Sequence, residues 1–126
     1  MANTRINTKL APAAVGAYSQ AVKVNDTVYV SGQIGLTPDG ELLVGFEAQA
    51  RQVLENLEKI ASTCDLDRGD FVKLTVFLVD LSQFSKLNEI MADFFGGSFP
   101  ARSAVEVTRL PKDALVEIDA IAVCQS

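Results

Sequence analysis

Two charged side chains interrupt strand-like runs near the end of the chain: Arg102 in the stretch from Ala101 to Thr108, and Glu117 in the stretch from Leu115 to Val123. Burying a charge is costly unless it is paired or used, so these positions are the first candidates for chemistry. An arginine offers a planar fork of donors that matches a carboxylate, and a glutamate can polarise a water molecule. That division of labour would suit hydrolysis of a small imino acid. A structural ion pair or a solvated sheet face accounts for the same residues more simply, because charged side chains are usually exposed. Spacing alone does not establish that the two side chains meet.

Composition limits the other possibilities. The 126 residues include no histidine, which removes the Ser-His-Asp and Cys-His nucleophile systems and the usual zinc sites. Chemistry must rest on Arg, Glu, Asp, Tyr, Ser, Lys or backbone groups, and no metal or cofactor is expected. Cys64 and Cys124 show no C-x-x-C spacing and read as buried or idle thiols in a reducing compartment. Gly35 to Gly40 approaches a phosphate-loop pattern, but Glu41 stands where the lysine must be and would repel phosphate. Sixteen acidic against eleven basic residues give a net charge of -5, and the basic residues are scattered. Nucleic acid and anionic membranes are therefore not expected partners. No stretch approaches the roughly 20 apolar residues of a membrane helix, and the start lacks a secretory apolar segment. A cytoplasmic location is expected.

The elements that must position these side chains follow from periodicity. Apolar and β-branched residues from Tyr18 to Val24 and from Thr27 to Ile34 flank Asn25-Asp26 and predict a hairpin. Thr37 to Gly40 is a turn by composition. Ala50, Val53, Leu54, Leu57, Ile60 and Ala61 recur at three- and four-residue steps, predicting an amphipathic helix from about Glu47 to Thr63. Phe71 to Val79 is apolar at both parities, as in a strand covered on both faces. Asp80 or Ser82 can cap a second helix with the face Phe84, Leu87, Ile90, Met91, Phe94 and Phe95, ended by Gly96-Gly97.

After Pro100, Ser103, Val105 and Val107 alternate with Arg102, Ala104, Glu106 and Thr108. Pro111 to Asp113 makes a turn, and the last strand sets Val116, Ile118, Ala120 and Ala122 against Glu117 and Asp119. The order is strand, strand, helix, strand, helix, strand, strand. It predicts one α+β domain over the whole chain, with helices layered against a single sheet. Tyr18 and Ser31 fall on the hairpin and Asn88 on the polar edge of the second helix, where hydroxyls and amides usually satisfy local backbone.

Four segments carry a resemblance: APAAVGAYSQA (Ala11 to Ala21), VSGQIG (Val30 to Gly35), QARQVLENLEKI (Gln49 to Ile60) and FPARSAVEVTRLPKDALVEIDAIAV (Phe99 to Val123). Together they resemble the reactive intermediate deaminase (Rid/YjgF) family, RidA branch, over nearly the whole chain. The resemblance implies a chorismate-mutase-like α+β fold with a mixed sheet and two helices on one face. It also implies a homotrimer whose sheets form a central barrel, with active clefts between subunits. A trimer would cover apolar surface that a short chain cannot hide by itself.

By the same resemblance, Arg102 binds the substrate carboxylate and Glu117 positions the attacking water. Tyr18, Ser31, Gly32, Asn88 and Ala104 match pocket positions. Ala104 departs from the cysteine that many relatives carry there. Hydrolysing a C=N bond needs a held carboxylate and an oriented water, neither of which requires sulfur, and the backbone N–H of residue 104 survives the change.

The activity implied is cofactor-free hydrolysis of enamine or imine products of pyridoxal-phosphate dehydratases, such as 2-aminoacrylate or 2-aminocrotonate, to 2-oxo acids and ammonia. Three other readings stand beside it. A trimer could sense small carboxylates without catalysis, or the chain could be a ribonuclease or translation inhibitor, as some relatives are described. A holdase role, attributed to some relatives, has no sequence feature that tests it.

Overall fold

The computed structural model describes residues 3–124. The elements are β1 (Thr4–Ile6), β2 (Ala21–Val24), β3 (Thr27–Ile34), α1 (Phe46–Ser62), β4 (Phe71–Leu78), α2 (Phe84–Phe95), β5 (Ala101–Glu106) and β6 (Val116–Val123). They form one six-stranded sheet in the order β1-β2-β3-β6-β4-β5. All pairings are antiparallel except β4 with β5, which run parallel because α2 carries the chain back between them. The expected α+β class with a mixed sheet and two helices is therefore observed.

The β2–β3 hairpin turns at Asn25, which takes the left-handed backbone that asparagine tolerates (φ 53°). Its first strand begins at Ala21, so Tyr18 lies in the approach to the strand rather than in it. The short edge strand β1 was not foreseen; three residues are too few for a periodic signal. α2 stops at Gly96, whose left-handed conformation (φ 68°) lets its N–H bond Ala92 O at 2.9 Å. The carboxylate of Asp80 caps the 3₁₀ turn that leads into this helix by accepting from Ser82 N at 3.0 Å.

Register places the core on one face. Val28 lies opposite Ala122, Val30 opposite Ala120, Val76 opposite Ile118 and Leu78 opposite Val116, and all are buried. Against them pack Ala50, Val53, Leu54, Leu57 and Ile60 of α1 and Leu87, Ile90 and Met91 of α2. Replacing fully buried Leu57 or Leu74 by alanine would cost about 2–5 kcal/mol, the transfer loss plus the cavity.

Among the described residues nothing is layered on the opposite face. Tyr29 and Val105 are 50% and 45% exposed, and Phe77 and Ile121 are half-buried. The expectation that β4 is covered on both faces therefore fails for one chain, since both helices lie on the other side. Among the described residues no helix is long and apolar enough to cross a membrane.

Candidate active site

Glu117 projects from the helix-free face. It lies in β6 opposite Ile34 of β3 and Phe77 of β4, and the parity of β6 puts it with Asp119 and Ile121, away from buried Ile118 and Ala120. A register shift between Val30 and Gln33 bends β3 beside it. Gly32 sits in that irregular stretch, and a Cβ built there would come within 2.5 Å of Glu117 Oε2. Glycine is what leaves the carboxylate its place.

Glu117 opens into a cavity of about 370 Å³ whose walls include Pro12, Val15, Tyr18, Gly32 and Lys112. Among the described residues no hydrogen bond or ion pair engages its carboxylate. Burial raises its pKa above the usual glutamate value, and the nearby charge of Asp119 pushes the same way. A half-buried, unpaired carboxylate with a raised pKa is suited to exchange a proton with a water or a ligand.

Arg102 leaves β5 on the helix-covered face, level with Leu74 and hence with Ala120. Its Nη1 donates to Asn88 Oδ1 at 2.7 Å and lies 3.4 Å from Met91 Sδ. The guanidinium stacks over the Phe84 ring, 4.9 Å from the centroid. Arg51, Arg68 and Arg109 each carry an ion pair with an acidic side chain; among the described residues Arg102 carries none. Its Nε and Nη2 have no acceptor among the described residues. Packing from α2 thus holds the fork while two donor nitrogens remain free for a planar anion. They open on a second cavity of about 410 Å³ lined by Asn88, Met91, Phe99, Pro100 and Arg102.

The sequence candidates therefore divide into two groups within one chain. Tyr18 and Gly32 stand with Glu117, and Asn88 stands with Arg102. Ser31 gives its hydroxyl proton to Ser19 O at 2.6 Å, leaving its lone pairs for any other partner. Ala104 follows Arg102 on the same face of β5, its methyl against the core. Val107 N donates to Leu78 O at 2.7 Å, and alternation along a parallel ladder then turns the N–H of Ala104 toward the open edge of β5.

Arg102 and Glu117 do not meet in one chain: they project from opposite faces, with β4 between their strands. The structural ion pair allowed by the sequence is thereby excluded within the chain. Sequence reasoning also missed the buried amides that hold the loops. Gln49 accepts from Leu115 N at 2.8 Å and donates to Leu43 O at 2.9 Å, fixing the entry to β6 two residues before Glu117. Gly35 makes this possible, since a Cβ there would lie 2.6 Å from Gln49 Cα. Of the two readings offered for the cysteines, buried or idle, the first does not hold: Cys64 is half-buried and Cys124 exposed.

Comparison with known proteins adds a second line. Residues 8–124 match the family profile described as Endoribonuclease L-PSP. The chain is 49% identical over 120 residues to the 2-iminobutanoate/2-iminopropanoate deaminase of Rattus norvegicus, an alignment covering 94% of this chain and 88% of that protein. Among solved structures, RidA from an Antarctic Psychrobacter superposes with a TM-score of 0.94 at 49% identity, over 96% of this chain and 99% of that one. Escherichia coli TdcF with bound serine gives 0.93 at 43% identity, over 97% and 99%.

Proposed function

The chain belongs to the Endoribonuclease L-PSP family, the Rid/YjgF family that its sequence resembles, and from that premise we propose that it is an imine deaminase. It hydrolyses 2-imino acids, tautomers of the enamines released by pyridoxal-phosphate dehydratases, to 2-oxo acids and ammonia. Relatives named 2-iminobutanoate/2-iminopropanoate deaminase at 44–49% identity over most of the chain support this activity.

The observation that carries the reading is the pair of incomplete half-sites. Among the described residues, one holds an arginine fork with free donors and no counter-ion, and the other a half-buried carboxylate with no partner. The substrate carboxylate lies on Nε and Nη2 of Arg102. Glu117 accepts a proton from water as the oxygen attacks the imine carbon, forming a carbinolamine. Glu117 returns that proton to nitrogen to complete the neutral carbinolamine, then relays the hydroxyl proton to nitrogen as the C–N bond breaks, so that ammonia leaves and the C=O forms. The substrate also hydrolyses unaided, so orientation and modest acid-base help suffice.

The working site on this reading lies between subunits of a homotrimer, with Arg102 and Asn88 from one and Glu117, Gly32 and Tyr18 from its neighbour. The uncovered, half-apolar sheet face with Tyr29, Phe77, Val105 and Ile121 supports such an assembly. A ribonuclease role is less well supported, since the chain has net charge -5 and no histidine.

The direct test couples the protein to a threonine dehydratase and follows 2-oxobutanoate formation while semicarbazide competes for the imine. Acceleration over the enzyme-free rate is expected, and its absence would overturn the reading in favour of a carboxylate-binding protein.

A further inference from the structure

Residues 7–20 run without a helix or strand between β1 and β2, yet part of this stretch forms one wall of the Glu117 cavity. The outer wall has little packing of its own, for Val15 is 84% exposed and Tyr18 51%. Its place is set by Gln20, which borders the same cavity but is only 1% exposed. Gln20 Oε1 accepts from Thr8 N at 2.7 Å, and Nε2 donates to Thr8 O at 3.1 Å and to Pro12 O at 2.7 Å. Only a primary amide can meet both backbone groups of Thr8 and still donate a second proton to Pro12. Its backbone is pinned in turn, because Ser31 N donates to Gln20 O at 2.9 Å and Ser31 Oγ donates to Ser19 O.

We infer that Gln20 is a positioning residue for ligand binding: its amide clamps the Thr8–Pro12 backbone so that Val15 and Tyr18 face Glu117 across a cavity of fixed width. This rests on the reading of the Glu117 cavity as half of the active site. Both amide protons of Gln20 are already donated, so it has no donor left for a ligand and acts through the wall. Ser31 belongs to the same clamp, holding the strand end from which the wall departs.

The test compares wild type with Gln20→Leu, which keeps approximate volume and removes the three bonds. Calorimetric titration with 2-oxobutanoate, the proposed product, gives the affinity. The dehydratase-coupled assay at limiting and saturating imine gives the split between kcat/KM and kcat, and thermal unfolding is recorded alongside. Binding about tenfold weaker is expected, with kcat/KM falling more than kcat. A merely structural role would lower the melting temperature and leave the affinity of the folded protein unchanged, which would overturn the inference.

If Gln20→Leu does not fold, Thr8→Pro removes the N–H donated to Oε1 together with the hydroxyl that accepts from Leu10 N, and Thr8→Val, which loses only that hydroxyl, is measured beside it in the same way. If wild type binds 2-oxobutanoate but accelerates no imine hydrolysis, the deaminase reading fails while the comparison of affinities still tests the clamp.

Discussion

Gly32 and Glu117 are matched in shape: a single methyl on the glycine would stand 2.5 Å from the carboxylate oxygen and 3.0 Å from its carbon. The backbone at Gly32 is not left-handed, so alanine is acceptable to the chain and unacceptable only to Glu117. Gly32→Ala should fold, displace the carboxylate, and lower kcat by about 10²-fold, the scale of a misplacement near 1 Å. Coupled-assay rates with a circular dichroism melt check this, and an active Gly32→Ala protein would show that the carboxylate's position does not matter.

Arg102 is held by Phe84, Asn88 and Met91 rather than by a counter-ion, so its removal strands no buried carboxylate among the described residues. Arg102→Ala should leave the fold intact and weaken binding of 2-oxobutanoate by at least about 2 kcal/mol, roughly 30-fold. Arg102→Lys should recover little, because an ammonium keeps the charge without the fork or the stacking surface. Calorimetry on both variants decides; full recovery by lysine would reduce the role to simple charge.

Glu117 links activity and stability with opposite signs. Burial first, and Asp119 second, raise its pKa, so the folded chain holds that proton more tightly than the unfolded one. The stability this provides is full below the ordinary glutamate value and is lost as pH rises through the raised one. At neutral pH, Glu117→Gln should therefore be as stable as wild type or more so, while losing about 10²–10⁴-fold in rate. A lower melting temperature at neutral pH would contradict this account.

The rate should rise with pH along a limb displaced above the usual carboxylate range. Charged neighbours of that carboxylate are Asp119 on its own strand and Lys112 in the same cavity, with Lys73 acting on Asp119. Asp119→Asn should move the limb toward lower pH, and a pH-rate profile that does not shift would remove Asp119 from the account.

Much of this was legible in the sequence because periodicity reports which face is buried. The alternation around Glu117 foretold its face, and the helical stripes of α1 and α2 lie on the core. What stayed hidden depends on partners far along the chain. Nothing local distinguishes Gln20 or Gln49 from a surface glutamine, because their bonds reach Thr8, Pro12, Leu43 and Leu115 through loops. The separation of Arg102 from Glu117 was equally unreadable, since both follow the same alternation and only the strand order puts β4 between them. The apparent two-sided burial of β4 was also deceptive: a face left open within one chain reads the same as a face covered by its own helices.

The central claim is that one subunit supplies the arginine fork and its neighbour the carboxylate. Arg102→Ala and Glu117→Gln subunits, each inactive alone, can be co-refolded in equal amounts and assayed with the dehydratase. Random assembly joins an intact arginine to an intact glutamate at about a quarter of the interfaces, so about a quarter of wild-type activity should return. A mixture as inactive as its two components would contradict the shared site.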